Sequence, residues 1–150
     1  MNEHDPVEIL IVEDSPYDLE MTLRGFRQAG LVNHIQVVRD GEEALDFLFC
    51  RAAFADRCPD QRPRVILLDL KLPKVDGLEV LAQVKAHPAT RTIPVVMMTS
   101  SQEQSDLVRS YELGVNSYVV KPVQFDGFVK AVQELGLYWM LLNQPPAANP

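Results

Sequence analysis

Five short apolar runs, each followed by a stretch of helical periodicity, constrain the fold of this chain more than any other feature. The runs are residues 8–12, 35–38, 65–68, 95–98 and 117–120. Each is brief, continuous and rich in Val, Ile or Leu. Such a run is expected where a strand is buried on both faces of a parallel sheet with helices above and below. Helical patterns occupy 17–28, 42–50, 78–86, 103–113 and 124–140. Ser15-Pro16 offers an N-cap followed by a proline at the first helical turn, and Ser101-Gln102 precedes the fourth pattern. Gly30 and Gly114 fall where helices should stop. Strict alternation of strand and helix implies right-handed crossovers and a doubly wound α/β sandwich.

With 150 residues the chain has room for one ordinary domain. Its 47% hydrophobic and 23% charged residues are those of a globular chain and argue against disorder. Fourteen Lys and Arg against 21 Asp and Glu leave a net charge of −7 with no basic run, which argues against a nucleic-acid partner. The acidic N-terminus lacks the positive charge of a secretory signal, and residues 137–142 are too few to insert in a membrane. Cys50 and Cys58 form no CxxC pair, and His4, His34 and His87 lack zinc-ligand spacing. Reduced thiols and a cytoplasmic location are expected. Residues 143–150, with three prolines, are expected to be an unstructured tail after a single domain over 1–142.

In doubly wound sheets, function gathers at the carboxyl ends of the strands. The first strand runs into Glu13-Asp14, the third into Asp69, the fourth into Thr99-Ser100 and the fifth into Lys121-Pro122. Any one of these acids read alone is a solvated helix cap. Acids at two strand ends, with a Thr and a Lys at the next two, fit something more specific. Converging carboxylates repel, and burial raises the cost. A hard divalent cation and a fixed ammonium, here Lys121, relieve it. Phosphoryl transfer needs this kind of charge neutralisation, and a carboxylate can carry the phosphoryl group covalently. Asp69, between the other acids and the Thr99–Lys121 side, is the best nucleophile.

The stretches ILIVEDSP, VVRDGEEAL, VILLDLKLPKVDGLEVL, IPVVMMTSS and SYVVKPV resemble the response-regulator receiver domain of two-component signalling, from about Val7 to Leu142. The spacings, 30 residues from Asp69 to Thr99 and 52 from Asp69 to Lys121, match as well. The resemblance implies a flavodoxin-like (βα)5 three-layer sandwich with a parallel five-stranded sheet ordered 2-1-3-4-5. It implies Asp69 as the phosphorylated residue, and Glu13, Asp14, Asp69 and the backbone carbonyl of Lys71 as ligands of Mg2+, for which Mn2+ can substitute. Thr99 would bind a phosphoryl oxygen and Lys121 would pair with another and with Asp69. Tyr118 stands at the family's rotating aromatic, Pro73 and Gly77 are turn-formers, and Pro122 would follow a cis peptide. The donor would be a sensor histidine kinase. With only a few polar residues after the last helix, output is expected through a downstream protein or a phosphotransfer histidine.

Two features depart from the simplest receivers. Residues 51–64 make a long connection in which Pro59 and Pro63 prevent a continuous helix. Residues 137–142, Leu-Tyr-Trp-Met-Leu-Leu, extend an apolar surface beyond the face of Phe125, Phe128, Val129, Val132 and Leu135 that should cover the sheet. Both are similar to stand-alone receivers that partner bacterial phytochrome kinases and related hybrid sensors, which implies a homodimer through the last helix and this segment. The segment could instead fold back over the first helix or the 51–64 connection. The competing enzymatic reading is an aspartyl-phosphate hydrolase of haloacid-dehalogenase type. That family needs a general-acid Asp two residues after the nucleophile, where this chain has Lys71. A receiver that binds without phosphorylation is the third reading, and the intact acid set speaks against it.

Overall fold

All five apolar runs form strands in the computed structural model, which describes residues 7–31 and 34–146. They are β1 (Ile9–Val12), β2 (Ile35–Val38), β3 (Val65–Leu68), β4 (Val95–Thr99) and β5 (Ser117–Val120). All pairings are parallel, in the order β2-β1-β3-β4-β5. The helices are α1 (Pro16–Gln28), α2 (Gly41–Leu48), α3 (Gly77–Ala86), α4 (Gln104–Glu112) and α5 (Phe125–Leu137). This is the flavodoxin-like arrangement.

The strand period of two divides the core. Leu10, Val12, Ile66, Leu68, Val95 and Met97 face one helical layer with Phe47, Leu81 and Val84 of α2 and α3. Ile9, Ile11, Val65, Leu67, Val96 and Met98 face the other with Phe26 of α1 and Phe128 and Val132 of α5. Because both sets are apolar, the strands read as continuous runs. Helices α1 and α5 touch closely: a Cβ added at Gly25 would fall 2.7 Å from the side chain of Val132.

Local signals act where the sequence placed them. Ser15 caps α1 by accepting the Asp18 N–H at 3.3 Å, with Pro16 in the first turn. Asp40 and Asp76 cap α2 and α3 in the same way. Gly30 and Gly114 adopt φ of 75° and 98°, the left-handed conformation that ends a helix at low cost. At α4, however, the N-cap is Glu103 without a side-chain bond, and the Ser101 hydroxyl bonds Asp106 instead.

Several expectations are corrected. The Lys121–Pro122 bond is trans, for the described residues contain no cis peptide; trans is the lower-energy isomer even before proline. Phe125 does not cover the sheet. It begins α5 beyond the edge of the core, 41% exposed, with the Arg24 guanidinium over its ring. The helical pattern over 124–140 stops at Leu137 and widens into a π-helical turn, Tyr138–Leu142, closed by a 2.7 Å bond from the Asn143 N–H to the Tyr138 carbonyl. That wider turn buries Trp139 and Met140 and leaves Leu137, Tyr138, Leu141 and Leu142 exposed.

The 51–64 connection contains one 3-10 turn, Ala52–Phe54, and is irregular beyond it. Phe54 packs edge-on against Phe47, and Arg57 lies over the same Phe47 ring while donating to the Phe47 and Gln61 carbonyls. Residues 143–146 have no regular secondary structure, and 147–150 and His4 lie outside the described residues.

Candidate functional site

Short strands in register bring their carboxyl ends to one rim. Val12 pairs with Val38 on one side and Leu68 on the other, so Glu13 and Asp69 emerge side by side. Two backbone bonds fix them: the Asp69 N–H donates to the Val12 carbonyl at 3.1 Å, and the Glu13 N–H to the Val38 carbonyl at 3.1 Å. Next along the sheet, Thr99 pairs with Val120, and the Lys121 N–H donates to the Thr99 carbonyl at 2.7 Å. The sheet itself therefore delivers Glu13, Asp69, Thr99 and Lys121 to one place.

The loop after β3 is held down from the far side. The Leu70 N–H donates to Asp69 Oδ1 at 2.7 Å, and the Gly77 N–H to the Leu70 carbonyl at 2.8 Å. At Gly77 a Cβ would sit 2.2 Å from the Asp69 carbonyl oxygen, a distance no side chain tolerates. Glycine here is the condition for the loop to pass so close to the start of α3.

Lys121 Nζ is the hub. It donates to Glu13 Oε2 at 2.8 Å, Asp18 Oδ2 at 2.8 Å and Asp69 Oδ2 at 2.9 Å. Its side chain is only 7% exposed, and those of Glu13 and Asp69 are 6% and 10%. One ammonium among three carboxylates leaves the rim short of positive charge. Burial first, and then the negative charge of Asp69, push the Glu13 carboxyl up to about 7, against the opposing bond from Lys121. For Lys121 burial disfavours the charge, but the bonds to Asp18 and Glu13 outweigh it and hold the ammonium protonated well above its ordinary range. Both shifts express the same deficit.

A cation would fill it. Glu13, Asp14 and Asp69 each present a carboxylate oxygen within 4.8 Å of the others. Glu13 and Asp69 are buried while Asp14 is open to solvent, so the cluster has both fixed ligands and an entrance. Its donor atoms are hard oxygens, suited to a small divalent cation that keeps part of its water. Lys71 is exposed in the loop two residues beyond Asp69.

Thr99 is almost fully buried, its hydroxyl accepting the Ser101 N–H at 3.3 Å. Tyr118, on β5 opposite Met97, is half-buried and donates from its hydroxyl to the Ser101 carbonyl at 3.1 Å. Burial, only partly offset by that bond, raises its phenol. Thus Glu13, Asp14, Asp69 and Lys121 meet at the rim, Thr99 ends the neighbouring strand, and Tyr118 touches the loop after Thr99. The sequence did not reveal Asp18. Its position in the first turn of α1 is one that acids fill to cap a helix or favour its dipole, which masked it.

The chain matches the response regulator receiver domain family over residues 9–133. It is 42% identical over 142 residues to the probable methanogenesis regulatory protein FilR2 of Methanothrix harundinacea, covering 95% of this chain and 89% of that protein. Identity to the response regulator Rcp1 of Synechocystis sp. is 38% over 143 residues, with 95% of each chain covered. The crystal structure of the Mn2+-bound form of Rcp1 superposes with a TM-score of 0.87 over 95% of this chain and 100% of that one, at 37% identity. The bacteriophytochrome response regulator RtBRR is 56% identical, with a TM-score of 0.75 over 95% of this chain and 85% of that one.

Proposed function

Because this chain belongs to the response regulator receiver family, a family of phosphoacceptor signalling proteins and not of conventional enzymes, we propose that Asp69 is its acceptor and that the surrounding rim is its switch. One observation carries this reading: a single ammonium, Lys121, is bonded at once to Asp69, Glu13 and Asp18. The haloacid-dehalogenase reading falls with family membership.

In the transfer, an Asp69 carboxylate oxygen attacks phosphorus. The bond from phosphorus to the donor nitrogen of a kinase phosphohistidine breaks, and the histidine leaves with the electron pair. The product is an acyl phosphate on Asp69. Glu13, Asp14 and Asp69, with the Lys71 carbonyl, would hold Mg2+ or Mn2+, which when bound offsets charge on the phosphoryl oxygens. The chain's own part is positioning. The β1–β3 register and the Gly77 contact fix Asp69, Lys121 neutralises a second phosphoryl oxygen, and the Thr99 hydroxyl donates to a third. Drawing Thr99 inward pulls on the Ser101 segment that Tyr118 holds, and so changes the surface beside α4.

The donor we propose is a sensor histidine kinase of phytochrome or related hybrid type, supported by the 56% identity to a bacteriophytochrome response regulator. Among the described residues no helix is long and apolar enough to cross a membrane. We place the protein in the cytoplasm, without nucleic acid, passing its signal to a downstream protein or phosphotransfer histidine. A homodimer through α5 and the π-helical turn is part of the same proposal, as is a single receiver domain over 1–142 with a tail over 143–150.

The first test is intact-protein mass after treatment with acetyl phosphate and Mg2+. Wild type should gain one labile phosphoryl group, and Asp69→Asn and Asp14→Ala should not. An adduct that persists in Asp69→Asn overturns the assignment.

A further inference from the structure

Lys121 has three N–H donors and three carboxylate partners, and the partners differ in fate. Glu13 and Asp69 belong to the oxygen cluster that suits a cation, and Asp69 is also the residue proposed to carry the phosphoryl group. Asp18 is in neither role, yet its 2.8 Å bond to Lys121 is as short as any the ammonium makes. Its backbone is fixed independently, since the Asp18 N–H donates to the capping hydroxyl of Ser15 and Pro16 sets the helix entry. Its carboxylate thus reaches from a rigid first turn of α1 to the end of β5, and stays partly open to water at 26% exposure.

We infer that Asp18 is a positioning residue that keeps the Lys121 ammonium aimed at Asp69 throughout the phosphorylation cycle. The inference rests on the reading of Asp69 as acceptor. When a cation engages Glu13 and Asp69, Lys121 loses the undivided hold of two of its three partners. A lysine stem is flexible and its ammonium has no fixed direction of its own. Asp18 retains one donor and pins the stem, which leaves the other donors directed at the phosphoryl oxygens. A hydrogen bond to a charged group is strong enough to fix that geometry.

Asp18→Ala keeps helix-forming tendency in α1 and removes the acceptor oxygen. Asp18→Leu fills a similar volume without one, and Asp18→Asn restores an oxygen without the charge. Rates of phosphorylation by acetyl phosphate should fall about tenfold in the Ala and Leu variants, the scale of one charge-assisted hydrogen bond, and recover to within about threefold of wild type in Asn. Mn2+ affinity, read by electron paramagnetic resonance, should change by no more than about threefold in all three, whereas Asp14→Ala weakens it by more than about tenfold. The Lys121 ammonium signal in 1H–15N spectra, slowed in proton exchange by its bonds, should weaken in Ala and Leu and persist in Asn.

Wild-type rates in Asp18→Ala, or an Asn variant as slow as Ala, overturn the inference. So does a loss of Mn2+ affinity equal to that of Asp14→Ala, which would make Asp18 a metal ligand. Failure of the Asp69 reading shows separately, as an adduct retained in Asp69→Asn or absent from wild type, and the ammonium spectra test the anchoring of Lys121 in either case.

Discussion

Glu13 shows how much chemistry a single burial decision carries. In water its carboxyl would be ionised at neutral pH, but within the rim it is pushed up to about 7, by burial first and the charge of Asp69 second. A raised carboxyl means that the folded state favours the protonated form. Glu13 therefore costs the metal-free fold nothing below its unfolded value of 4.5, and the penalty grows as pH rises toward 7. Proton and cation then compete for the same oxygens. The rise in Tm produced by Mg2+ should be larger at pH 8 than at pH 6, and apparent affinity should fall by up to about tenfold per pH unit below 7. Calorimetric scans across that range check this; a metal-induced shift that is flat with pH, or larger at pH 6, counts against Glu13 as a ligand. The identities of Glu13, Asp14, Asp69, Thr99 and Lys121 were legible because each directly follows or ends an apolar run, and strand ends in such sheets meet. Asp18 was not, because it lies in the first turn of α1 and not at a strand end, and only the fold brings that turn to Lys121. Local spacing carries no trace of that meeting.

Strands were the most legible elements and helix ends the least. Four-residue apolar runs leave little freedom in where a strand begins, so β2, β3 and β5 fall on the predicted residues, although only β3 of the three is buried along its whole length and the edge strands β2 and β5 are mostly half-buried. The end of α5 depends instead on whether Trp139 and Met140 can reach the core, and they do so only when the turn widens. Periodicity at 3.6 residues has no means of announcing that change. The trans bond at Pro122 was equally invisible, because either isomer is close in energy and tertiary contacts choose. The segment between β4 and α4 is where a message can leave the rim: Thr99 anchors its start, Ser101 bonds both Asp106 and the Tyr118 hydroxyl, and α4 begins without a side-chain cap. A ligand-driven change needs a differential interaction between two states, which the proposed phosphoryl contact to Thr99 would provide. Thr99→Ala should still accept the phosphoryl group from acetyl phosphate but lose the phosphorylation-dependent change in hydrogen exchange over residues 100–106. An undiminished change there in Thr99→Ala would break the link between the hydroxyl and the loop.

On the assembled fold, four exposed apolar side chains lie together in the C-terminal segment. Leu141 and Leu142 are 65% and 75% exposed, and Leu137 and Tyr138 lie beside them. A self-complementary contact needs only one such patch per chain. Replacing both Leu141 and Leu142 by Asp leaves Trp139 and Met140 in the core, and should convert a dimer at tens of micromolar to a monomer in sedimentation. A wild-type chain that is monomeric at that concentration, phosphorylated or not, removes the dimer. The Lys121 hub has a consequence for how the protein is made. Asp69 and the ammonium that completes its surroundings are 52 residues apart, and β5 is the last strand to be synthesised. At ordinary translation rates of roughly 5–20 residues per second, Asp69 is made about 3–10 s before its lysine. A ribosome that stalls or a protease that clips between them releases a chain with Asp69 and without its counter-charge. If Asp69 is the acceptor as proposed, such a fragment would hold the carboxylate without the ammonium bonded to it in the finished fold.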